Sequence, residues 1–461
     1  MTKSFVFLCV INCFHCFYPK KHSINASVYP YFFIYLQHEK MRSIMGKTFY
    51  RFSAMALLLS LVLALLPANA TWAQGDSLLL RYEVKGIVRD AKSNQRLPYA
   101  SVTIPGKHHS TVTNSDGEFI LRTNEPPREV MVSHVGYDTR RTNVTTDGKP
   151  LNIRLVPNSI QLKEVLVMAN DPMLILQTAL DKVKDNYITQ PERYRCFYRE
   201  TAQKRSKYIY IAEAVTDVYK TSYTHRDISD RVSVVKDRRL LSPKASDTLS
   251  VKVLGGPTYA IKLDLVKNRD FLLNRMELDL YSLKMGTPVN IDDRLQYVIE
   301  IAPYATVDYP LQYGKIYVDH ETLAFTRIEL SLDVRDRDKA TEYMLVSKPV
   351  GLRFKPRELS MIVNYKYEDG VTRLNYLRTT FRFSCDWKRH LFNTNFTAVS
   401  EVVVTDRDES PVQLIPRRDA YSTRASLYDT ATYTIDDDFW SGYNIIEPTE
   451  SLEKAVKRLM K

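Results

Sequence analysis

Three motifs decide the fold of the first domain: Gly86-Ile87-Val88-Arg89-Asp90, Thr113-Asn114-Ser115-Asp116-Gly117-Glu118-Phe119 and Val132-Ser133-His134-Val135-Gly136-Tyr137. Each combines a short stretch of strand-forming residues with turn-forming residues. Asp116 and Gly117 predict a tight hairpin turn and Gly136 a second turn, because glycine accepts positive φ and aspartate can bond its own turn. Such spacing predicts a small β-sandwich of about seven short strands over residues 82–156.

These motifs, together with Leu97-Pro98-Tyr99-Ala100-Ser101-Val102 and Leu162-Lys163-Glu164-Val165-Leu166-Val167, resemble the carboxypeptidase-regulatory-like domain. That domain is a transthyretin-like sandwich found ahead of many outer-membrane and envelope proteins of Bacteroidetes. The resemblance implies a non-catalytic module in an envelope protein. Asn114 stands where the family more often has aspartate, and asparagine also caps a turn.

The sequence offers no residues for catalysis, cofactor binding or metal binding, so we expect a protein that is not an enzyme. None of the 9 histidines begins the H-x-x-E pattern of a zinc carboxypeptidase. The envelope-hydrolase alternative would draw on the neighbouring polar residues Ser222, Tyr223, His225, Asp227 and Asp230. No G-x-S-x-G nucleophile motif accompanies them.

The net charge of +12 looks at first like a nucleic-acid signal, but half of it lies near the amino terminus. Residues 1–73 hold seven basic residues and one acidic residue, which gives +6 and leaves +6 for the other 388 residues. Because those remaining charges are interspersed, we do not expect nucleic-acid binding.

Residues 41–73 have the three-part order of a signal peptide. A basic segment from Met41 to Arg51 precedes the uncharged run Ala54 to Leu66, and small residues follow, with cleavage expected after Ala70 or Ala73. An uncleaved amino-terminal anchor is the alternative. Since a secretion signal normally opens a chain, we expect Met41 or Met45 to be the true start and residues 1–40 to be a mis-assigned upstream extension.

Two cysteines, Cys196 and Cys385, follow the predicted signal peptide. Export to an oxidising compartment would permit a disulfide between them, but two cysteines do not make a disulfide framework. We favour two separately buried thiols.

Residues 157–170 are predicted to be a linker, after which the pattern changes. Asp171-Pro172 predicts a helix with an acidic cap, and long alternating segments over residues 171–447 predict one larger, curved antiparallel sheet with a few helices. Asp369 and Gly370 predict a hairpin turn, and residues 448–461 a carboxy-terminal helix. The charged clusters at 335–339 and 406–409 are interpreted as solvated loops.

The segment from Gly314 to Glu329 resembles a hairpin of lipoprotein-carrier half-barrels, and residues 171–447 are similar to an uncharacterised Bacteroidetes family. The first resemblance implies a concave face, lined by Tyr, Leu and Val, that holds an apolar ligand.

The sequence therefore predicts a mainly β, non-enzymatic exported protein of the periplasm or the periplasmic face of the outer membrane. Its sandwich would be an interaction module, and its larger domain would bind a lipid, another apolar ligand or an outer-membrane protein. The alternatives are a ligand-free scaffold subunit of an outer-membrane complex and an envelope hydrolase.

Overall fold

The computed structural model describes residues 82–459, with gaps at 146–147, 159–170, 226–227, 243, 245–250, 254, 270–272, 388–392, 409–411, 424, 435 and 437–438. The predicted upstream extension, signal peptide and most of the linker lie outside these residues. Within them, no helix is long and apolar enough to cross a membrane.

The first domain is the predicted sandwich of seven short strands. These strands are β1 (Tyr82–Asp90), β2 (Ser101–Thr103), β3 (Ser110–Val112), β4 (Glu118–Thr123), β5 (Glu129–Ser133), β6 (Arg140–Asn143) and β7 (Leu151–Leu155). They form one sheet in the order β4-β1-β7 and another in the order β3-β2-β5-β6. Alternating apolar residues such as Val88, Val102 and Phe119 fill the core between the sheets.

The second domain is dominated by long strands. They are β8 (Glu192–Lys204), β9 (Lys207–Lys220), β10 (Arg231–Leu241), β12 (Tyr281–Met285), β13 (Val289–Ile291), β14 (Arg294–Pro303), β15 (Gln312–Asp319), β16 (Phe325–Leu332), β18 (Leu352–Glu368), β19 (Val371–Trp387) and β20 (Thr394–Asp408). The short strands β11 (Lys252–Val253) and β17 (Leu345–Ser347) pair with each other separately.

The long strands form one open, 11-stranded sheet in the order β10-β9-β8-β20-β19-β18-β16-β15-β14-β12, with β13 paired to β14. Each of these pairings is antiparallel, which confirms the predicted fold class. Bulges interrupt the pairing of several strands, including β18 with β19 and β8 with β20. A bulge bends the strand that carries it, which curves the sheet.

Helices line one face of this sheet or follow it in the chain. They are α1 (Pro172–Asp181), α2 (Val183–Asn186), α3 (Pro257–Lys262), α4 (Arg275–Leu278), α5 (Arg337–Met344), α6 (Leu427–Thr430) and α7 (Glu450–Leu459). Helix α1 begins as predicted, because the Asp171 carboxylate accepts hydrogen bonds from the backbone N–H groups of Met173 and Leu174. Helix α7 is the predicted carboxy-terminal helix.

Both charged clusters that we interpreted as solvated loops are partly regular structure. Residues 337–339 begin helix α5, capped by Asp336. Residues 406–408 end strand β20, and the Arg407 side chain is buried beside Glu368 and Asp369, at 3.1 and 2.9 Å. The interpretation was wrong for residues 406–408, because Arg407 pairs with the tip of the β18–β19 hairpin, which a reading of single segments does not reveal. Residues 335–338 are exposed, as expected of a solvated segment.

Candidate functional site

The two faces of the large sheet have different partners. The inner face is the one whose side chains pack against helices α1 to α4, and the outer face is the opposite one. Tyr194, Tyr198 and Val363 are examples of inner-face residues, all fully buried. Phe197, Val215 and Val403 alternate with them and belong to the outer face.

The inner face carries the Tyr, Leu and Val side chains that we predicted for a ligand-binding concavity. They are buried against the protein's own helical residues, such as Leu176, Leu180 and Ile261. An apolar ligand on this face would therefore have to displace a packed core, which costs several kcal/mol per large side chain.

A buried charge network also closes the inner face. The Lys220 amine, which has no exposed surface, lies 2.6 Å from the Asp230 carboxylate and 2.7 Å from that of Asp264. Asp264 accepts two further hydrogen bonds from the hydroxyls of Tyr223 and Tyr365. Burial alone would lower the pKa of Lys220, but the two carboxylates raise it above its usual value. The Lys220 amine is thus satisfied by partners within the protein, so the network stabilises the fold.

Among the described residues of the hydrolase alternative, Ser222, His225 and Asp230 are not hydrogen-bonded to one another. The Ser222 hydroxyl shares a hydrogen bond with the Thr224 hydroxyl at 2.7 Å, whereas Asp230 is occupied by Lys220 and Thr221. The His225 ring contacts Thr224 at 3.4 Å, and Asp227 lies outside the described residues. Among the residues that the structure describes, no group of three or more metal-ligating side chains is placed to hold an ion.

The outer face carries a row of charges that crosses ten strands. In an antiparallel sheet, side chains directly opposite one another lie close enough for opposite charges to attract. Successive strand registers align one residue from each strand, alternating in sign except at one isoleucine. This charge row consists of Lys284, Glu300, Lys315, Glu329, Ile362, Arg378, Glu401, Arg199, Glu213 and Arg238.

One half of the charge row is covered and centred on Glu213. Its carboxylate accepts hydrogen bonds from Arg199 at 2.7 Å, Arg238 at 2.8 Å and the Trp440 indole at 2.9 Å, and its side chain is only 2% exposed. Burial would raise the pKa of Glu213, but the two guanidinium groups and the indole N–H outweigh it and lower the pKa to about 2. Glu213 is therefore ionised at neutral pH.

A covering segment, residues 439–446, lies over this half. Its backbone carbonyls accept hydrogen bonds from basic side chains, Ile446 from Arg199 at 2.8 Å and Phe439 from Lys236 at 2.5 Å. Its apolar side chains pack with those of Phe197 and Val215. The segment thus satisfies the charges and buries the apolar residues between them.

The sandwich covers the adjoining part of the outer face. The Tyr99 ring stacks on Tyr376 at a centroid distance of 5.9 Å, and the Arg378 guanidinium lies 4.7 Å from the centre of the Tyr99 ring. The Ser110 hydroxyl donates to the Val404 carbonyl at 2.5 Å. The sandwich is therefore packed onto the sheet rather than tethered beside it.

The other half of the charge row lines an open groove of about 1000 Å³ on strands β12, β14, β15, β16 and β18. Lys315 and Glu300 form an ion pair at 3.1 Å, and each side chain is 47% exposed. Apolar side chains flank these charges, including Tyr313, Pro303, Val334 and Ile362. We take this groove as the candidate binding site.

Gly314 shapes the floor of the groove. A Cβ atom at this position would overlap the carbonyl oxygen of Glu329 on the neighbouring strand. The glycine therefore permits a close approach of β15 to β16 that no other residue allows.

The turn residues predicted from the sequence lie away from the groove. Gly117 and Gly136 have φ values of 68° and 79°, and Asp369 and Gly370 form a hairpin tip with φ values of 52° and 81°. The side chain that caps the Asp116–Gly117 turn is that of Asn114, which accepts from the N–H groups of Asp116 and Glu118 at 2.9 Å. Asp116 instead accepts a hydrogen bond from the backbone N–H of Glu450, at the start of helix α7.

Sequence reasoning missed the groove residues. Their alternation of sign appears only when strand registers are known, because Lys284 and Glu329 are distant in sequence. Cys196 and Cys385, whose pairing the sequence left open, are both buried free thiols.

Comparison with solved structures finds proteins of low sequence identity. A LolA superfamily protein from Nitrosomonas europaea is 12% identical with a TM-score of 0.19, covering 53% of this chain and 96% of its own. A DUF1329 family protein from Desulfovibrio piger is 13% identical with a TM-score of 0.22, covering 53% and 96%. At such low TM-scores we infer nothing about this chain from them.

Comparison with curated proteins gives no match. A family model does match the first domain, over residues 84–167. The sandwich strands and this match agree with the resemblance noted in the sequence, and residues 84–167 of this chain are a carboxypeptidase-regulatory-like domain.

Proposed function

We propose that this protein is an exported, non-catalytic envelope protein that binds a partner in the open groove of its outer face. One observation carries the proposal: half of the charge row is covered by the protein's own chain, whereas the other half lines a groove of about 1000 Å³. A cleft of this size that combines apolar and charged side chains is suited to an amphipathic partner. The signal-peptide pattern of residues 41–73 supports export.

The packed inner face favours the groove over the concavity as the binding site. The predicted ligand-carrier function would place an apolar molecule against Tyr, Leu and Val side chains, and these already contact helices α1 to α4. The groove requires no such rearrangement, because Tyr313 is already 49% exposed.

The experiment is native mass spectrometry of the protein purified from its own envelope. We expect the wild type to retain a bound species and the double variant Tyr313→Ser, Ile362→Ser to lose it. Tyr433→Ser is the matched control, because Tyr433 is 50% exposed and does not line the groove. A species retained equally by the groove variant, or none in the wild type, would contradict the proposal.

The ligand-free scaffold is the second candidate function. It is supported by the sandwich and the covering segment, which together bury much of the outer face against the sheet. A scaffold would co-purify with a membrane protein through the sandwich, so that the groove variant would keep the partner.

A further inference from the structure

The covered half of the charge row shows how this sheet holds a polypeptide. Arg199 and Lys236 donate to backbone carbonyls of the covering segment, and the Trp440 indole donates to Glu213. The Lys236 amine also lies 4.1 Å from the centre of the Phe439 ring. Basic side chains of the sheet therefore donate hydrogen bonds to the backbone of the segment, and aromatic side chains pack between these basic side chains.

The open half presents the same kinds of groups in the same alternating order. Lys284 and Lys315 are its basic members, and Glu300 and Glu329 its acidic members. Tyr313 and Ile362 flank them, much as Phe197 and Val215 flank the covered charges. The exposed pair of Lys315 with Glu300 leaves both groups accessible to a further partner.

The charged residues on the floor of the groove favour a polypeptide over an acyl chain as the ligand. An acyl chain laid over Lys315 and Glu300 would remove water from two charges and return no hydrogen bonds, which is unfavourable. A polypeptide backbone supplies both carbonyl acceptors and N–H donors. It can therefore replace the water that it displaces.

We infer that the open groove recognises an extended polypeptide segment whose carbonyls accept from Lys284 and Lys315 and whose apolar side chains pack beside Tyr313 and Ile362. This inference rests on the proposed function and names the chemistry of the partner. Specificity comes from the alternation of charge and apolar surface, and the segment lies across the strands as the covering segment does.

The test uses a labelled peptide with the sequence of residues 436–448, because it contains the covering segment 439–446, which lies over a row of this composition within the same protein. Fluorescence polarisation with the intact protein measures its affinity. We expect saturable 1:1 binding, at least about tenfold weaker in Lys315→Glu, as for a hydrogen bond to a charged group. A scrambled peptide of the same composition should bind at least tenfold more weakly as well.

Arg382→Glu is the matched control variant. Arg382 pairs with Glu358 at 3.1 Å, is 58% exposed and does not line the groove. We expect this variant to bind the peptide with unchanged affinity. Equal loss in Arg382→Glu and Lys315→Glu would mean that net charge alone drives binding, and would overturn the inference.

Two other outcomes overturn the inference. One is peptide binding with the same affinity in Lys315→Glu as in the wild type. This result would also be seen if the peptide displaced the covering segment instead of entering the groove. The other is absence of peptide binding while vesicles of phosphatidylethanolamine and phosphatidylglycerol sediment with the wild type and not with Lys315→Glu. That second result would leave the proposed function intact, since the groove would still bind a partner. Absence of any bound species from the native mass spectra of the wild type would contradict both the proposed function and this inference.

Discussion

The two halves of the charge row have nearly the same composition, but one half is covered by the chain and the other is exposed. Around Glu213, three donors surround a carboxylate that is 2% exposed, and a segment of the chain lies on top. Around Glu300, one lysine pairs with a carboxylate that is 47% exposed. Strand register therefore sets the alternation of charge in both halves. Burial by the rest of the chain determines whether an ion pair stabilises the fold or remains available to a partner.

The largest expected effect is at the covered centre. Glu213→Gln removes the charge that neutralises Arg199 and Arg238, and breaking a buried ion pair by removing one partner costs about 3–5 kcal/mol. Urea unfolding of the variant and wild type measures this difference in the free energy of unfolding. A loss of unfolding free energy smaller than that for an exposed ion pair would mean that burial under the covering segment does not strengthen the Glu213 ion pairs.

A second large effect is expected at the floor of the open half. Gly314→Ala places a Cβ against the Glu329 carbonyl, so β15 and β16 must separate, and such overpacking costs about 1–3 kcal/mol. Thermal unfolding measures the loss. Gly286→Ala is the control, because its Cβ would meet only side-chain atoms of Val298 and Glu300, at 3.1 Å or more. Equal effects of the two substitutions would show that the close approach at Gly314 is not required.

A pH effect is expected where the sandwich meets the sheet. Burial first, and then the charge of Arg327, lower the pKa of His134 from 6.5 to about 4. The unfolded state therefore binds the proton more tightly than the folded state. As the pH falls from 6.5 to about 4, protonation of the unfolded state lowers the free energy of unfolding. We expect His134→Gln to lose less stability than the wild type over this window, as measured by unfolding at several pH values. Parallel pH profiles for the two proteins would contradict the shift.

The smallest effect is expected in the open half. Glu300→Gln removes an exposed ion pair with Lys315, and such pairs contribute about 0–1 kcal/mol. The same urea unfolding used for Glu213→Gln measures it, so the two results compare the halves directly. A loss as large as that of Glu213→Gln would mean that Glu300 has buried partners of its own.

Local signals predicted much of the fold. The alternation and turns of residues 82–156 indicated the sandwich, and Asp171-Pro172 marked the start of helix α1. Strand β20, Thr394–Asp408, has a weak sequence pattern because threonine, asparagine and serine interrupt its apolar alternation. It lies inside the sheet between β8 and β19, where pairing on both sides compensates for a weak pattern.

The candidate site was not predictable in the same way. Lys284, Glu300, Lys315 and Glu329 meet only because β12, β14, β15 and β16 adopt particular registers, which one sequence does not specify. The cover over Glu213 depends on Trp440, more than 200 residues away along the chain. Long-range geometry, rather than residue type, separates the covered half from the open one.

The position of strand β20 inside the sheet, between β8 and β19, has a consequence for how the protein is made. Strand β8, residues 192–204, pairs on one side with β20, residues 394–408. This pairing cannot form until β20, far later in the chain, has been synthesised. Pairings over such sequence separations form slowly. Until they form, β8 and β19 present unpaired edges that can join other chains. We therefore expect the nascent protein to need protection from aggregation until residue 408 has emerged.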